Sequence, residues 1–159
     1  MELLAALEGS ALASVLRQSF WLYPLVNTGH VLGVALLFGG IVPMDARLLG
    51  LWRAIPIAAL ARVLLPFVMA GCALAVATGG LLFIVQPTEY AAKPIFWIKM
   101  GLVLLGIANA LVLRRTVAWR AARRGAVEGA PAARLRLAGG LSLGAWLTAL
   151  VLGRLLGYL

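Results

Sequence analysis

The only histidine of the chain, His30, lies in a long apolar stretch, and two other polar side chains, Tyr23 and Asn27, come shortly before it. These residues are spaced i, i+4 and i+7, so on an α-helix all three share one face. A neutral imidazole is a common ligand of heme iron and of copper. The spacing therefore predicts a site for heme b or a copper ion centred on His30, with Tyr23 and Asn27 beside it.

Two sulfur-containing side chains, Met69 and Cys72, lie close together in the second long apolar stretch. On a helix they share a face, and we expect them at the same membrane depth as His30. Imidazole, thioether and thiol groups together favour a soft metal ion such as Cu(I). His30, Met69 and Cys72 are therefore candidate copper ligands. The alternative is that both sulfur residues are apolar fillers of a helix interface.

Lys99 and Asn109 are polar residues of the third apolar stretch. We expect the Lys99 ammonium group near the outer surface, where it either pairs with heme propionates or snorkels to water. An asparagine in a membrane span usually hydrogen-bonds across helices. Because the chain has one histidine, a bound heme needs five-coordinate iron, a methionine as second ligand or a partner chain. The alternative for His30 is a hydrogen bond to a helix carbonyl or to Asn27, with no cofactor.

The elements that must carry these residues follow from composition. Of 159 residues, 64% are hydrophobic and 12% are charged, whereas the apolar share of soluble domains is roughly half. A span needs about 20 apolar residues, and residues 20–44, 58–85, 95–113 and 137–159 meet that length. Because their connections are short, we predict an all-α fold, an antiparallel four-helix bundle that forms a single integral transmembrane domain over residues 1–159.

Outside the spans, residues 2–17 have leucines at helical spacing, which predicts an N-terminal interfacial helix. Residues 114–136 are expected to be a basic cytoplasmic loop. Asp45 marks the inner end of the first span, where we expect an ion pair with Arg47, Arg114 or Arg115. Glycines in the spans allow close helix approach. They fit packing within the bundle, and they leave a homodimer or a larger membrane complex open.

Basic residues are unevenly distributed along the chain. Of the fourteen, ten flank or fill the first and third connections: Arg47, Arg53, Arg62, Arg114, Arg115, Arg120, Arg123, Arg124, Arg134 and Arg136. The positive-inside rule makes these connections cytoplasmic and both termini periplasmic, as in a bacterial inner-membrane protein. Arginine-rich segments beside a membrane are attracted to anionic lipid headgroups. The expected partner is therefore the lipid bilayer, and nucleic acid is not expected.

Several segments taken together resemble a known group of proteins: WLYPLVNTGHVLG, MDARLLGL, KPIFWIKMGLVLLGIANA and the glycine-rich last span. The chain resembles an uncharacterised family of four-span bacterial inner-membrane proteins that is similar to the copper-resistance protein D (CopD) domain and to HemJ-type membrane proteins. The resemblance implies that His30 is the first-helix histidine, which the HemJ type uses for heme. It also implies that Lys99 is the third-helix lysine and Asn109 the asparagine that follows it.

Three functional classes remain open. The first is a membrane protein that binds heme b or copper through His30, for electron transfer or for metal or heme handling at the periplasmic side. The second is a copper transporter or permease. The third is an accessory subunit of a larger membrane complex with no chemistry of its own. No carboxylate is expected within the spans away from their ends, which argues against an autonomous proton-coupled pump.

Overall fold

The computed structural model describes residues 2–125 and 130–158, and within these ranges every regular element is a helix. Four of the helices are long and apolar enough to cross a membrane. They are α3 (Leu22–Leu49), α4 (Ile57–Val85), α6 (Pro94–Arg115) and α8 (Ala130–Leu155). The predicted all-α fold class with four membrane spans is therefore confirmed, and the chain is a multi-pass membrane protein.

Four short helices complete the described part of the chain. They are α1 (Glu2–Glu8), α2 (Ala11–Gln18), α5 (Pro87–Ala92) and α7 (Val117–Arg123). The single interfacial helix predicted over residues 2–17 is wrong in one respect, because it is divided into α1 and α2. The division follows from Ser10, whose hydroxyl oxygen accepts a hydrogen bond from the Ala13 amide (3.2 Å) and so starts a new helix.

The segment 114–136 is not the continuous loop that the sequence predicts. Helix α6 continues to Arg115, and Thr116 then caps α7 by accepting a hydrogen bond from the Trp119 amide (3.1 Å). Helix α8 begins at Ala130, well before residue 137. The remaining residues of the predicted loop, 126–129, lie outside the described ranges.

The first span is longer than predicted, because α3 ends at Leu49 and not near residue 44. A hydrogen bond from the Leu51 amide to the Ala46 carbonyl (3.0 Å) closes its last turn. Gly50 follows with a φ of 110°, the left-handed conformation that glycine adopts at helix C-termini. The extension places Asp45 inside the helix.

The chain divides into two compact units. Unit 1 contains residues 2–38 and 67–94. Inside it, Gly33 and Gly71 let α3 and α4 approach backbone to backbone. A Cβ atom would lie 2.6 Å from the Ala75 amide nitrogen if built on Gly33, and 2.5 Å from the Leu37 amide nitrogen if built on Gly71. Glycine packing of this kind holds membrane helices together where lipid offers little hydrophobic drive.

Unit 2 contains residues 39–66, 95–125 and 130–158. Its buried apolar cluster consists of Met44, Leu48, Ile57, Ala61, Ala118, Trp119, Ala122 and Leu135. Helix α7 packs against α8, which explains why the α7 side chains in this cluster are buried. Gly106 of α6 lies against the indole of Trp146, since a Cβ atom there would be 2.7 Å from the ring.

Candidate functional site

The imidazole of His30 is fixed against α4 by its Nδ1 atom. This atom lies 3.0 Å from the carbonyl oxygen of Ala75 and 3.2 Å from the hydroxyl oxygen of Thr78. A carbonyl oxygen can only accept a hydrogen bond, so Nδ1 carries the proton and donates it. In the neutral ring the lone pair therefore lies on Nε2, the atom through which histidine commonly binds a metal.

Thr78 and Gly79 of α4 hold the ring in this orientation. The Thr78 hydroxyl donates to the Leu74 carbonyl (2.6 Å), which leaves its oxygen as an acceptor for the His30 Nδ1–H group. Gly79 lies beneath the ring, because a Cβ atom there would be only 3.0 Å from the imidazole Cε1 atom. Metal-binding histidines are usually oriented in this way, by donating the other ring N–H to a carbonyl or carboxylate.

Tyr23 and Asn27 lie on the same face of α3 as His30, but not in its contact with α4. Tyr23 is 40% exposed, Asn27 is exposed and His30 is half-buried. Glycine contacts and the His30 hydrogen bonds join α3 to α4. The predicted polar face is therefore exposed at Tyr23 and Asn27 and contacts α4 at His30.

An open groove lies at the N-terminal end of this face. It has a volume of about 420 Å³, and Phe20 and Tyr23 are among its lining residues. Arg17 also lines it, and its guanidinium donates to the carbonyl oxygens of Val85 (2.8 Å) and Glu8 (2.6 Å). Burial, with Tyr23 nearby, raises the pKa of Tyr90 in α5 above that of a free phenol. Unit 1 thus places aromatic surface and a fixed cation at the N-terminal end of the His30 face.

Met69 and Cys72 lie on α4 before the turn that the imidazole contacts. His30 contacts α4 between Ala75 and Gly79. Cys72 lies three residues before Ala75, which is about 4.5 Å along the axis, and Met69 lies six residues before it, about 9 Å. Met69 is also 57% exposed. Within residues 2–125 and 130–158, no group of three or more histidine, cysteine and acidic side chains is placed to hold a metal ion.

Lys99 and Asn109 belong to unit 2, where both side chains contact α8. The Lys99 Cε atom would lie 3.4 Å from a Cβ built on Gly153, so the lysine stem runs along this glycine. The Asn109 amide donates to the Ala138 carbonyl (2.9 Å). The hydrogen bond across helices that was expected for Asn109 is thus present.

Asp45 is buried inside α3, whereas the sequence analysis predicted it at the end of the first span. It is 5% exposed inside α3, the Ser142 side chain of α8 lies beside its carboxylate, and its Oδ2 atom has no hydrogen-bond partner among the described residues. The predicted ion pairs are wrong, since the described residues contain only the Lys93–Glu89 pair. Arg47 instead donates to backbone carbonyls. The signal that could have placed Asp45 is the helical pattern of MDARLL, which continues past it.

No family model, curated protein or solved structure matches this chain. The resemblance to the CopD domain and to HemJ-type proteins therefore stays a prediction, carried by His30, Lys99 and Asn109.

Proposed function

We propose that this integral membrane protein binds heme b through Nε2 of His30 and works in electron transfer or heme handling at the periplasmic side of a bacterial inner membrane. The observation that carries the proposal is the hydrogen bond from the His30 Nδ1–H group to the Ala75 carbonyl. This bond selects the tautomer with its lone pair on Nε2 and orients the ring.

Heme fits the donor set of unit 1 better than copper does. A porphyrin supplies four nitrogen ligands to iron, so a single protein imidazole is enough to hold it. A copper ion depends on several protein ligands, and Met69 and Cys72 lie about 4.5 to 9 Å along α4 from the nearest residue that His30 contacts. The bound heme would supply one-electron chemistry.

The chain's own residues around His30 suit such a group. The open face that carries Tyr23 and Asn27 leads from His30 to the groove, and that groove has an aromatic lining and the Arg17 guanidinium. Apolar and aromatic surface favours the macrocycle, and a guanidinium favours carboxylate groups such as propionates.

The test uses the full-length protein, produced with heme precursor and copper supplied and purified in a mild detergent. We expect a Soret band and iron in metal analysis, and we expect both to disappear in His30→Asn. The asparagine amide can replace Nδ1 as donor to Ala75 but offers no ligand at the position of Nε2. His30→Asn therefore separates ligation from packing, with Arg115→Gln, a change at an exposed arginine of unit 2, as the control.

Two outcomes would overturn the heme assignment. A preparation that holds copper and no heme, with the copper lost in His30→Asn, would make the protein a copper-binding protein. A colourless, metal-free preparation would leave His30 with the packing role alone and favour the accessory class. In that case co-purification of one stoichiometric partner from native membranes is the expected finding.

A further inference from the structure

A pocket in unit 2 brings together arginines from three parts of the chain. It has a volume of about 290 Å³, and its lining includes Arg47 of α3, Arg53 of the α3–α4 connection and Arg136 of α8. It lies where α3 ends, α4 begins and α8 is in its first turns. These are the ends of membrane spans, which is the level of lipid headgroups.

Backbone carbonyls hold two of the three guanidinium groups. Arg47 donates from Nε to the Ile55 carbonyl (2.7 Å) and from Nη2 to the Arg53 carbonyl (3.2 Å). Arg53 donates from Nε to the Gly50 carbonyl (3.2 Å). Backbone carbonyls, which carry no net charge, therefore position these two cations.

No described carboxylate compensates this charge. Unit 2 contains ten arginines at its basic connections, and its one described acidic residue is Asp45, which is 5% exposed and in no ion pair. Glu128 lies outside the described residues. Guanidinium groups that share a pocket without a counter-charge repel one another, and an anion within the pocket relieves that repulsion.

The floor of the same pocket is apolar. Leu48, Ile57 and Leu135 line it and are 5%, 3% and 1% exposed. A ligand that matches both the arginines and the apolar floor must carry a hydrocarbon portion next to an anionic group. That group must accept several hydrogen bonds from N–H donors. Phosphate matches the forked donors of arginine, and the glycerol and first acyl carbons of a phospholipid match the floor.

We propose that this pocket, formed by Arg47, Arg53, Arg136 and the apolar floor, binds the phosphate of an anionic phospholipid headgroup. The site is separate from the His30 face and does not depend on the function proposed for it. It differs from a diffuse attraction of basic residues to the membrane, because it uses defined arginines and excludes others that are equally charged.

The test compares full-length variants in a non-ionic detergent by native mass spectrometry. The probes are short-chain phosphatidylglycerol, short-chain phosphatidylcholine and inorganic phosphate. Arg53→Gln/Arg136→Gln removes two pocket cations, and Arg115→Gln/Arg120→Gln removes two exposed arginines that do not line the pocket. We expect the first pair to weaken phosphatidylglycerol binding about 30-fold and the second to leave it nearly unchanged.

Arg136→Gln alone serves if the pocket double variant does not fold, with about a fivefold weakening expected. Equal weakening by both double variants would overturn the pocket and leave only diffuse attraction. Phosphatidylcholine binding as tight as phosphatidylglycerol would overturn charge recognition. Displacement of phosphatidylglycerol by an equal concentration of inorganic phosphate would overturn the lipid assignment and make the site one for free anions.

Discussion

The Nδ1 atom of His30 lies 3.0 Å from the carbonyl oxygen of Ala75, and this one contact has two consequences. It joins α3 to α4 within unit 1, and it determines which ring nitrogen carries the lone pair. A packing histidine requires only the first consequence, whereas a ligand requires both. Substitutions that keep one nitrogen position and lose the other can separate the two roles.

The first prediction concerns the stability that this hydrogen bond provides. His30→Ala removes the donor, and we expect the free energy of unfolding to fall by about 1 kcal/mol, within the range of polar contacts between membrane helices. His30→Asn retains a donor near the Nδ1 position and should lose less than half of that. Equilibrium unfolding in mixed detergent micelles, with no heme or metal present, measures both values. An equal loss in the two variants would show that Nδ1 is not the stabilising atom.

The second prediction concerns the glycine contact of α3 with α4. A Cβ atom on Gly33 would lie 2.6 Å from the Ala75 amide nitrogen, and backbone atoms cannot turn away as a side chain can. We expect Gly33→Ala to destabilise unit 1 by about 2 to 3 kcal/mol, the upper range for overpacking.

Gly80→Ala is the matched control for Gly33→Ala. It lies on α4, in the same unit, with nothing within 4 Å of an added Cβ. Its stability should be unchanged or rise by less than about 1 kcal/mol, because alanine favours helix over glycine. Similar losses at the two positions, measured by the same unfolding assay, would contradict the close approach of α3 and α4.

The sequence predicts the spans well but leaves their rotation undetermined. Apolar length alone identifies four spans, and Asn109 behaves as an intramembrane asparagine usually does. Helices α3 and α4 are apolar on nearly all sides, so no polar stripe indicates which face meets a neighbour. The contacts of Gly33 and Gly71 determine that face. The sequence does not distinguish these two from the other glycines of the spans.

The axial register of α3 against α4 is also undetermined by the sequence, and the predicted metal site depended on it. The sequence placed Met69 and Cys72 at the depth of His30 by counting residues, which assumes that both helices start at the same level. The glycine contacts instead set His30 against the turn between Ala75 and Gly79. A shift of one or two turns along α4 is invisible to a count, yet it moves a ligand by about 5 to 11 Å.

The third prediction concerns Arg17, which connects the short N-terminal helices to the end of α4. Its guanidinium donates to the carbonyls of Val85 and Glu8 at 2.8 and 2.6 Å. Arg17→Met keeps an apolar stem of similar length and loses both bonds. We expect amide hydrogen exchange in α1 and α2 to become about tenfold faster, because hydrogen bonds to charged groups are the stronger ones.

Arg17→Lys tests the geometry of this connection. Lysine keeps the charge, but its ammonium group is a compact point charge and lacks the fork that spans two carbonyls. Its exchange rates should therefore be intermediate, while Arg115→Met, an exposed arginine of unit 2, should change nothing in α1 and α2. Unchanged exchange in Arg17→Met would mean that α1 and α2 are held by other contacts, such as the packing of α1 on α5.

The fourth prediction concerns Asp45, whose Oδ2 atom has no hydrogen-bond partner among the described residues. A buried carboxylate without a full set of partners is costly. We expect Asp45→Asn to raise the free energy of unfolding at alkaline pH by about 1 kcal/mol or more, because the amide carries no charge where the carboxyl group is ionised. Ser142→Ala removes the polar group beside the carboxylate and should lower it. A lower stability of Asp45→Asn would mean that the carboxylate has a partner, such as a bound cation, that residues 2–125 and 130–158 do not supply.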